Sequence, residues 1–172
     1  LASGLNNVVN ALAVNGTDVY LGGDFIRAGD IQASSIVKWD GSDFEALGAG
    51  LNGSVIVLLA DGSDLYVGGT FTSTLGGPTN SLRNLARWDT VAETWNAVGL
   101  GVNSTVRSLA KDGMWNLYVG GAFTTVSLGP TIPASRVASW NGTSWSSMNI
   151  GFAGTVYALV LDSTDTLYAR SE

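Results

Sequence analysis

The segment Asp64-Leu65-Tyr66-Val67-Gly68-Gly69-Thr70-Phe71 decides the fold, because the chain repeats it on either side. It stands upstream as Asp18-Val19-Tyr20-Leu21-Gly22-Gly23-Asp24-Phe25 and downstream as Asn116-Leu117-Tyr118-Val119-Gly120-Gly121-Ala122-Phe123. A shortened copy follows at Thr166-Leu167-Tyr168-Ala169. The tyrosines are 46, 52 and 50 residues apart, a period that belongs to propeller blades and other stacked arrays. A second register agrees with the first. Gly4, Gly50, Gly101 and Gly151 each precede Val9, Val55, Val106 and Val156 by the same interval, and Leu12, Leu58, Leu109 and Leu159 follow.

Within each period, four short apolar segments are separated by turn residues, which is the pattern of strands rather than helices. In the middle period the first strand is expected over 55–60. It meets the turn Asp61-Gly62-Ser63-Asp64, where glycine accepts the positive φ of a tight hairpin. Asn15-Gly16 and Asp112-Gly113 hold the same place in the neighbouring periods. The second strand carries Tyr-x-Gly-Gly, whose paired glycines suit a close backbone approach. The third is Ile36-Val37-Lys38-Trp39-Asp40, Leu85-Ala86-Arg87-Trp88-Asp89 or Val137-Ala138-Ser139-Trp140-Asn141. The fourth falls near 43–47, 94–98 and 144–148. One such sheet cannot bury both apolar faces alone, so copies must stack, and radial stacking of four-stranded sheets makes a propeller. The expected fold is all-β: a β-propeller-type array of four-stranded antiparallel blades forming a single domain over 1–172. Residues 1–4 end a preceding blade, full blades occupy 5–50, 51–101 and 102–151, and a partial blade occupies 152–172, with Arg170-Ser171 replacing the glycine doublet.

The succession Leu65-Tyr66-Val67-Gly68-Gly69, Arg87-Trp88-Asp89 and Trp95 resembles the kelch repeat and the related galactose-oxidase-type blade. Trp140-Asn141 to Trp145 fits the same pattern, and Trp39-Asp40 fits with Phe44 replacing the second tryptophan. The combined pattern of the glycine doublet, phenylalanine and paired tryptophans more closely resembles kelch-like repeats of large microbial secreted or surface proteins, including fungal cell-polarity markers. The resemblance implies the propeller fold and leaves function open, since propellers host unrelated activities. The copper chemistry of galactose oxidase needs histidine and a modified cysteine, so none of it carries over to any residue here.

Composition narrows the function. The 172 residues include no histidine and no cysteine, charged residues make up 13%, and the net charge is −6. Nucleic acid is not an expected partner, because binding it takes a basic patch. No apolar run has the length of a membrane span. A Ser-His-Asp or Cys-His set is impossible, and so is an ordinary zinc site. Glu45, Glu93 and Glu172 occupy no recurring central position, and most aspartates fall in turns, where they bond nearby amides. The Asp61-Gly62-Ser63-Asp64 turn lacks the length of a calcium loop. No enzyme activity, cofactor or metal is expected.

Four Asn-x-Ser/Thr sequons, at Asn15, Asn52, Asn103 and Asn141, are candidate N-glycosylation sites and are read as lying in connections between strands. Asn52 and Asn103 share one position; Asn6 holds it without a sequon. Trp115, in Asp112-Gly113-Met114-Trp115-Asn116, reads as an insertion without counterpart and as a candidate partner contact. The loops at 72–82 and 124–134 emerge on the same face as the Asn52 and Asn103 links, and that face is the expected binding surface.

The expectation is a non-enzymatic extracellular or cell-surface interaction or structural module, a segment of a larger protein, binding a protein partner or itself. The alternatives are a glycosylated fibre or ring assembled through exposed strand edges, a small closed ring, and a carbohydrate-binding or carbohydrate-active propeller.

Overall fold

A computed structural model of the chain describes residues 4–76, 82–127, 129–148 and 151–172; the short piece at 1–3 and parts of the two long loops lie outside them. Blade 1 consists of β1 (Val9–Asn15), β2 (Asp18–Gly23), β5 (Ile36–Trp39) and β6 (Phe44–Ala46), with a small hairpin of β3 (Arg27–Ala28) and β4 (Ile31–Gln32) in its long loop. Blade 2 consists of β7 (Val55–Asp61), β8 (Asp64–Gly69), β9 (Leu85–Asp89) and β10 (Thr94–Ala97). Blade 3 consists of β11 (Val106–Lys111), β12 (Leu117–Gly121), β15 (Val137–Trp140) and β16 (Trp145–Ser147), with the hairpin β13 (Thr125–Ser127) and β14 (Thr131–Pro133) in its loop. The fourth unit has β17 (Val156–Leu161) and β18 (Leu167–Ser171). The three full sheets are antiparallel meanders, and the first strands of successive units lie side by side. This is a propeller-type array. No helix of the described residues is long and apolar enough to cross a membrane.

The glycine doublet explains how the blades stack. A Cβ on Gly22, Gly68 or Gly120 would stand 2.3, 2.5 or 2.7 Å from a methyl of Val55, Val106 or Val156 in the next unit. Each of those valines is fully buried, a burial that contributes about 2 kcal/mol per side chain. The second glycine answers to its own blade. A Cβ on Gly23, Gly69 or Gly121 would come within 2.0, 2.0 or 2.1 Å of the carbonyl oxygen of Val8, Ser54 or Thr105. Here the ladder between first and second strands skips a residue, as at Val55/Val57, and the bulge brings backbone onto backbone.

Each blade has a leading face, covered by the unit before it, and a trailing face. The leading face of blade 2 (Val55, Leu58, Leu65, Val67, Trp88, Trp95) is buried with Tyr20, Ile36 and Leu47 of blade 1. That of blade 3 (Val106, Leu109, Leu117, Val119, Trp140, Trp145) is buried on Leu85 and Val98 of blade 2. The recurring tryptophans are thus packing residues, tilted against a second aromatic at 5.1 Å in Trp88–Trp95 and 5.2 Å in Trp140–Trp145. At the ends the pattern is uncovered. Val9, Leu12 and Val14 on the leading face of blade 1 are exposed, as are Val160 and Tyr168 on the trailing face of the fourth unit. These two surfaces do not meet, so the described residues form an open arc and not the small closed ring.

Candidate functional site

The face carrying the long loops is built on an asparagine clamp. The Oδ1 of Asn52 accepts hydrogen bonds from the amides of Thr72 and Ser73, at 2.8 and 3.0 Å, while its Nδ2 donates to Thr72 Oγ1 at 2.9 Å. Asn103 does the same with Thr124 and Thr125, at 2.8 and 3.0 Å, and its Nδ2 donates to Thr124 Oγ1 at 2.9 Å. Asn6 accepts from Ile26 and Arg27 at 2.9 and 3.0 Å. The recurrence of asparagine therefore has a structural cause that applies with or without a sequon. One side chain ties the link entering each blade to the loop leaving its second strand.

A second bracket holds the far end of each loop. Ser35, Asn84 and Arg136 are left-handed, with φ of 67°, 70° and 71°. That conformation lets the amide of each reach the carbonyl of Phe25, Phe71 or Phe123, at 2.8, 2.7 and 3.0 Å. Their own carbonyls accept from Gly23, Gly69 and Gly121. The three phenylalanines are completely buried. The two brackets thus fix where each loop leaves the second strand and where it enters the third.

On this frame, between blades 1 and 2, lies an open cavity of about 430 Å³ lined by Asp24, Ile26, Ser34, Ser35, Leu51 and Leu75, with Asn52 and Ser54 on its wall. Ile26 and Leu75 are exposed, and Asp24 lines the same cavity. Ile26 occupies the position of Thr72 and Thr124 in the clamp, so blade 1 alone turns an aliphatic side chain outward there. Sequence reasoning picks out the face but misses Ile26 and Asp24. The available signal is an isoleucine where the sister loops have threonine. A second cavity, about 380 Å³, lies on the uncovered leading face of blade 1, lined by Gly4, Val19, Leu21, Trp39 and Phe44.

The opposite face carries the tight turns. Asn15 does not lie in a connection: it is the last residue of β1, paired with Asp18, and its Nδ2 donates to the Gly62 carbonyl at 2.7 Å, bridging blades 1 and 2. Asn141 begins the turn between β15 and β16. Trp115 does have a counterpart. Asp165 takes the same left-handed corner in the fourth unit, with φ of 59° against 72° for Trp115, and both turns close through an aspartate, Asp112 or Asp162. Their likeness is hidden in sequence because the fourth unit has no glycine at that turn. Trp115 is 69% exposed and lies 3.8 Å from Lys111 Nζ, which approaches its ring face; the same Lys111 pairs with Asp61 of blade 2. The structure does not bring Trp115 or the sequon asparagines together into one cluster.

Electrostatics on this face are those of turns. Burial pushes the Asp112 carboxyl up, but hydrogen bonds from Asn116, Tyr118 and Met114 outweigh it and leave the group below the usual range. Amides of Asp43 and Ser42 lower Asp40, and those of Ala92 and Val91 lower Asp89. Asp162 is lowered first by the Thr164 hydroxyl. Each shift is explained by capping within the turn.

No protein-family model and no curated protein sequence matches this chain. Solved structures do match in shape. The computationally designed Ika4 protein is 17% identical with a TM-score of 0.61, over 99% of this chain and 95% of that one. The extracellular domain of a protein described as a hybrid two component system, BT4673 of B. thetaiotaomicron, is 14% identical with a TM-score of 0.62, over 96% of this chain. YCF48 bound to D1 peptide is 14% identical with a TM-score of 0.53, over 95% of this chain. The chain spans 20% of the BT4673 domain and 46% of YCF48. At these identities the likeness establishes the fold.

Proposed function

We propose that this chain is a non-enzymatic, extracellular or cell-surface interaction module of the kelch-like kind. It takes a peptide segment of a protein partner in the groove between blades 1 and 2. The single observation that carries this reading is the groove itself, where Ile26 and Leu75 stand exposed and Asp24 lines the same cavity on a doubly braced loop frame. Function on propellers gathers on loops held by rigid scaffolds. An apolar side chain next to a basic one is the complementary segment, and the net charge of −6 favours approach of a basic partner. The BT4673 domain is extracellular by its description and YCF48 is described with a peptide bound, which is in keeping with the reading.

Selection from a displayed random-peptide library tests it. The selected peptides are expected to carry an aliphatic–basic pair and to lose about tenfold or more in affinity to Ile26→Glu, a cost of the size that a buried apolar contact contributes. Failure to select any peptide, or equal binding to wild type and Ile26→Glu, ends the proposal.

A second reading, self-assembly into a fibre or ring, is favoured by the uncovered apolar leading face of blade 1 and its cavity. Sheet faces rather than strand edges supply most of that surface. Light scattering decides it. Association that disappears in Leu12→Lys supports it, and a monomer at high concentration removes it.

A further inference from the structure

The four sequons are chemically unequal, and we infer that Asn141 is the N-glycan acceptor of this chain, while Asn15, Asn52 and Asn103 serve as internal braces. The inference shares with the proposed function only its extracellular setting.

The distinction rests on the amide nitrogen, the atom a glycan would occupy. In Asn52 and Asn103, Nδ2 is committed to a threonine hydroxyl at 2.9 Å, and in Asn15 to the Gly62 carbonyl at 2.7 Å. Asn141 is exposed, and its Nδ2 has no hydrogen-bond partner among the described residues. All its bonding falls on Oδ1, which accepts from the amides of Thr143 and Ser144 at 3.0 and 2.8 Å and from their hydroxyls at 3.0 and 3.2 Å. The sequon threonine thus already contacts the carbonyl oxygen of the acceptor amide while the nitrogen faces solvent.

Comparison among the blades shows that the turn does not need asparagine. Asp40 closes the equivalent turn of blade 1 with bonds from Ser42 and Asp43, at 2.7 and 2.8 Å. Asp89 does so in blade 2 with Val91 and Ala92, at 3.0 and 2.8 Å. An acceptor oxygen is all the fold requires there, so the nitrogen at Asn141 is surplus to folding. The clamp position differs, because an aspartate has no donor for Thr72 or Thr124. Place matters as well. Asn141 joins the two outer strands of its blade on the face opposite the loops, where a glycan is free of both the blade stack and the groove. A glycan on Asn52 would sit in the groove wall.

The modification is a transfer from a lipid-linked diphosphate sugar. The Asn141 Nδ2 bonds to the anomeric carbon as that carbon's bond to the diphosphate breaks, and one amide proton passes to a base of the transferase. Secretion of the chain from a glycosylating eukaryotic host, followed by site-resolved glycopeptide mass spectrometry, tests the assignment. Glycan is expected on most of the Asn141 peptide and on little or none of the other three, and Asn141→Gln is expected to abolish the mass shift while the secreted protein stays folded by circular dichroism. Glycan chiefly on Asn52 or Asn103, equal occupancy at all four, or a folded secreted protein with no glycan would each overturn it. Peptide titration of the groove is a separate readout, so either inference can fail while the other stands.

Discussion

Blades 1 and 2 present nearly the same leading face to opposite surroundings. Val9, Leu12, Val19, Leu21, Trp39 and Phe44 in blade 1 occupy the positions of Val55, Leu58, Leu65, Val67, Trp88 and Trp95 in blade 2. Leu58 is 9% exposed and Leu12 62%. The chemistry differs at one position. Trp95 Nε1 donates to the carbonyl of Leu47 in blade 1, at 3.0 Å, whereas Phe44 has no donor to satisfy. The same apolar stripe is thus core in one blade and surface in the other.

The largest expected effect comes from truncating the same residue on both faces. Leu58→Ala leaves a cavity in a closed interface and is expected to cost about 3 kcal/mol, whereas Leu12→Ala, already mostly in water, is expected to cost under about 0.5 kcal/mol. Urea midpoints at constant m-value decide it. A comparable loss for Leu12→Ala would show that the leading face of blade 1 is covered in solution.

Next comes the glycine that receives the following blade. Gly68→Ala puts a methyl into Val106 and Val57, 2.5 and 2.7 Å from the new carbon, and is expected to destabilise by about 2 kcal/mol, since overpacked interfaces cost roughly 1–3 kcal/mol. The fourth unit has Arg170 at this position, exposed and with no blade packed on it among the described residues. Arg170→Ala is expected to leave the melting temperature unchanged.

Much of this is legible in the repeat. Tyrosine and glycine spacing point to the all-β propeller array, because a sheet stack imposes the same contacts on each copy and so writes them at a fixed interval. The groove is not legible, since Ile26 and Asp24 are departures from the repeat and gain meaning only when two blades are placed together. The clamp is half visible. Asparagine recurs at 6, 52 and 103, but the sequon pattern points to surface glycans, whereas the side-chain bonds at those positions face the protein. Trp115 reads as singular because the residues on either side of its structural partner Asp165, Thr164 and Thr166, differ from Met114 and Asn116, and Ser163 replaces the turn glycine Gly113.

The clamp supplies the third test. Asn52→Asp keeps the oxygen that accepts from Thr72 and Ser73 but loses the donor to Thr72 Oγ1, and is expected to cost about 1 kcal/mol. Asn141→Asp, at a turn that already uses aspartate in two blades, is expected to change stability by less than about 0.5 kcal/mol. Equal losses would mean that the two asparagines are equally structural.

Acid separates the same turns by charge. Asp40 and Asp89 hold their native pKa values below those of the unfolded chain, so the unfolded state takes up protons first. Their contribution is complete above the unfolded value of about 4 and is lost as pH falls through the lower native one. Replacing Asp89 with asparagine, as blade 3 already has, is expected to flatten the decline of the denaturation midpoint below about pH 4. A slope unchanged by Asp89→Asn would place the acid sensitivity elsewhere, with buried Asp112 the next group to substitute.

The smallest effect is expected at the most conspicuous side chain. Trp115 holds a φ of 72°, a conformation that costs an L-residue roughly 1–2 kcal/mol and that asparagine or aspartate tolerates better. Against this stands its contact with Lys111, worth about 0.5–1 kcal/mol at an exposed ring. The two nearly cancel, so Trp115→Asn is expected to alter stability by no more than about 0.5 kcal/mol, where the buried Trp88 could not be replaced so cheaply. A loss near 2 kcal/mol would show instead that the ring shields the Lys111–Asp61 pair between blades 2 and 3 and is part of the stack. If the change is neutral, the backbone cost at Trp115 and its contact with Lys111 balance, and the exposed ring adds nothing net to the fold.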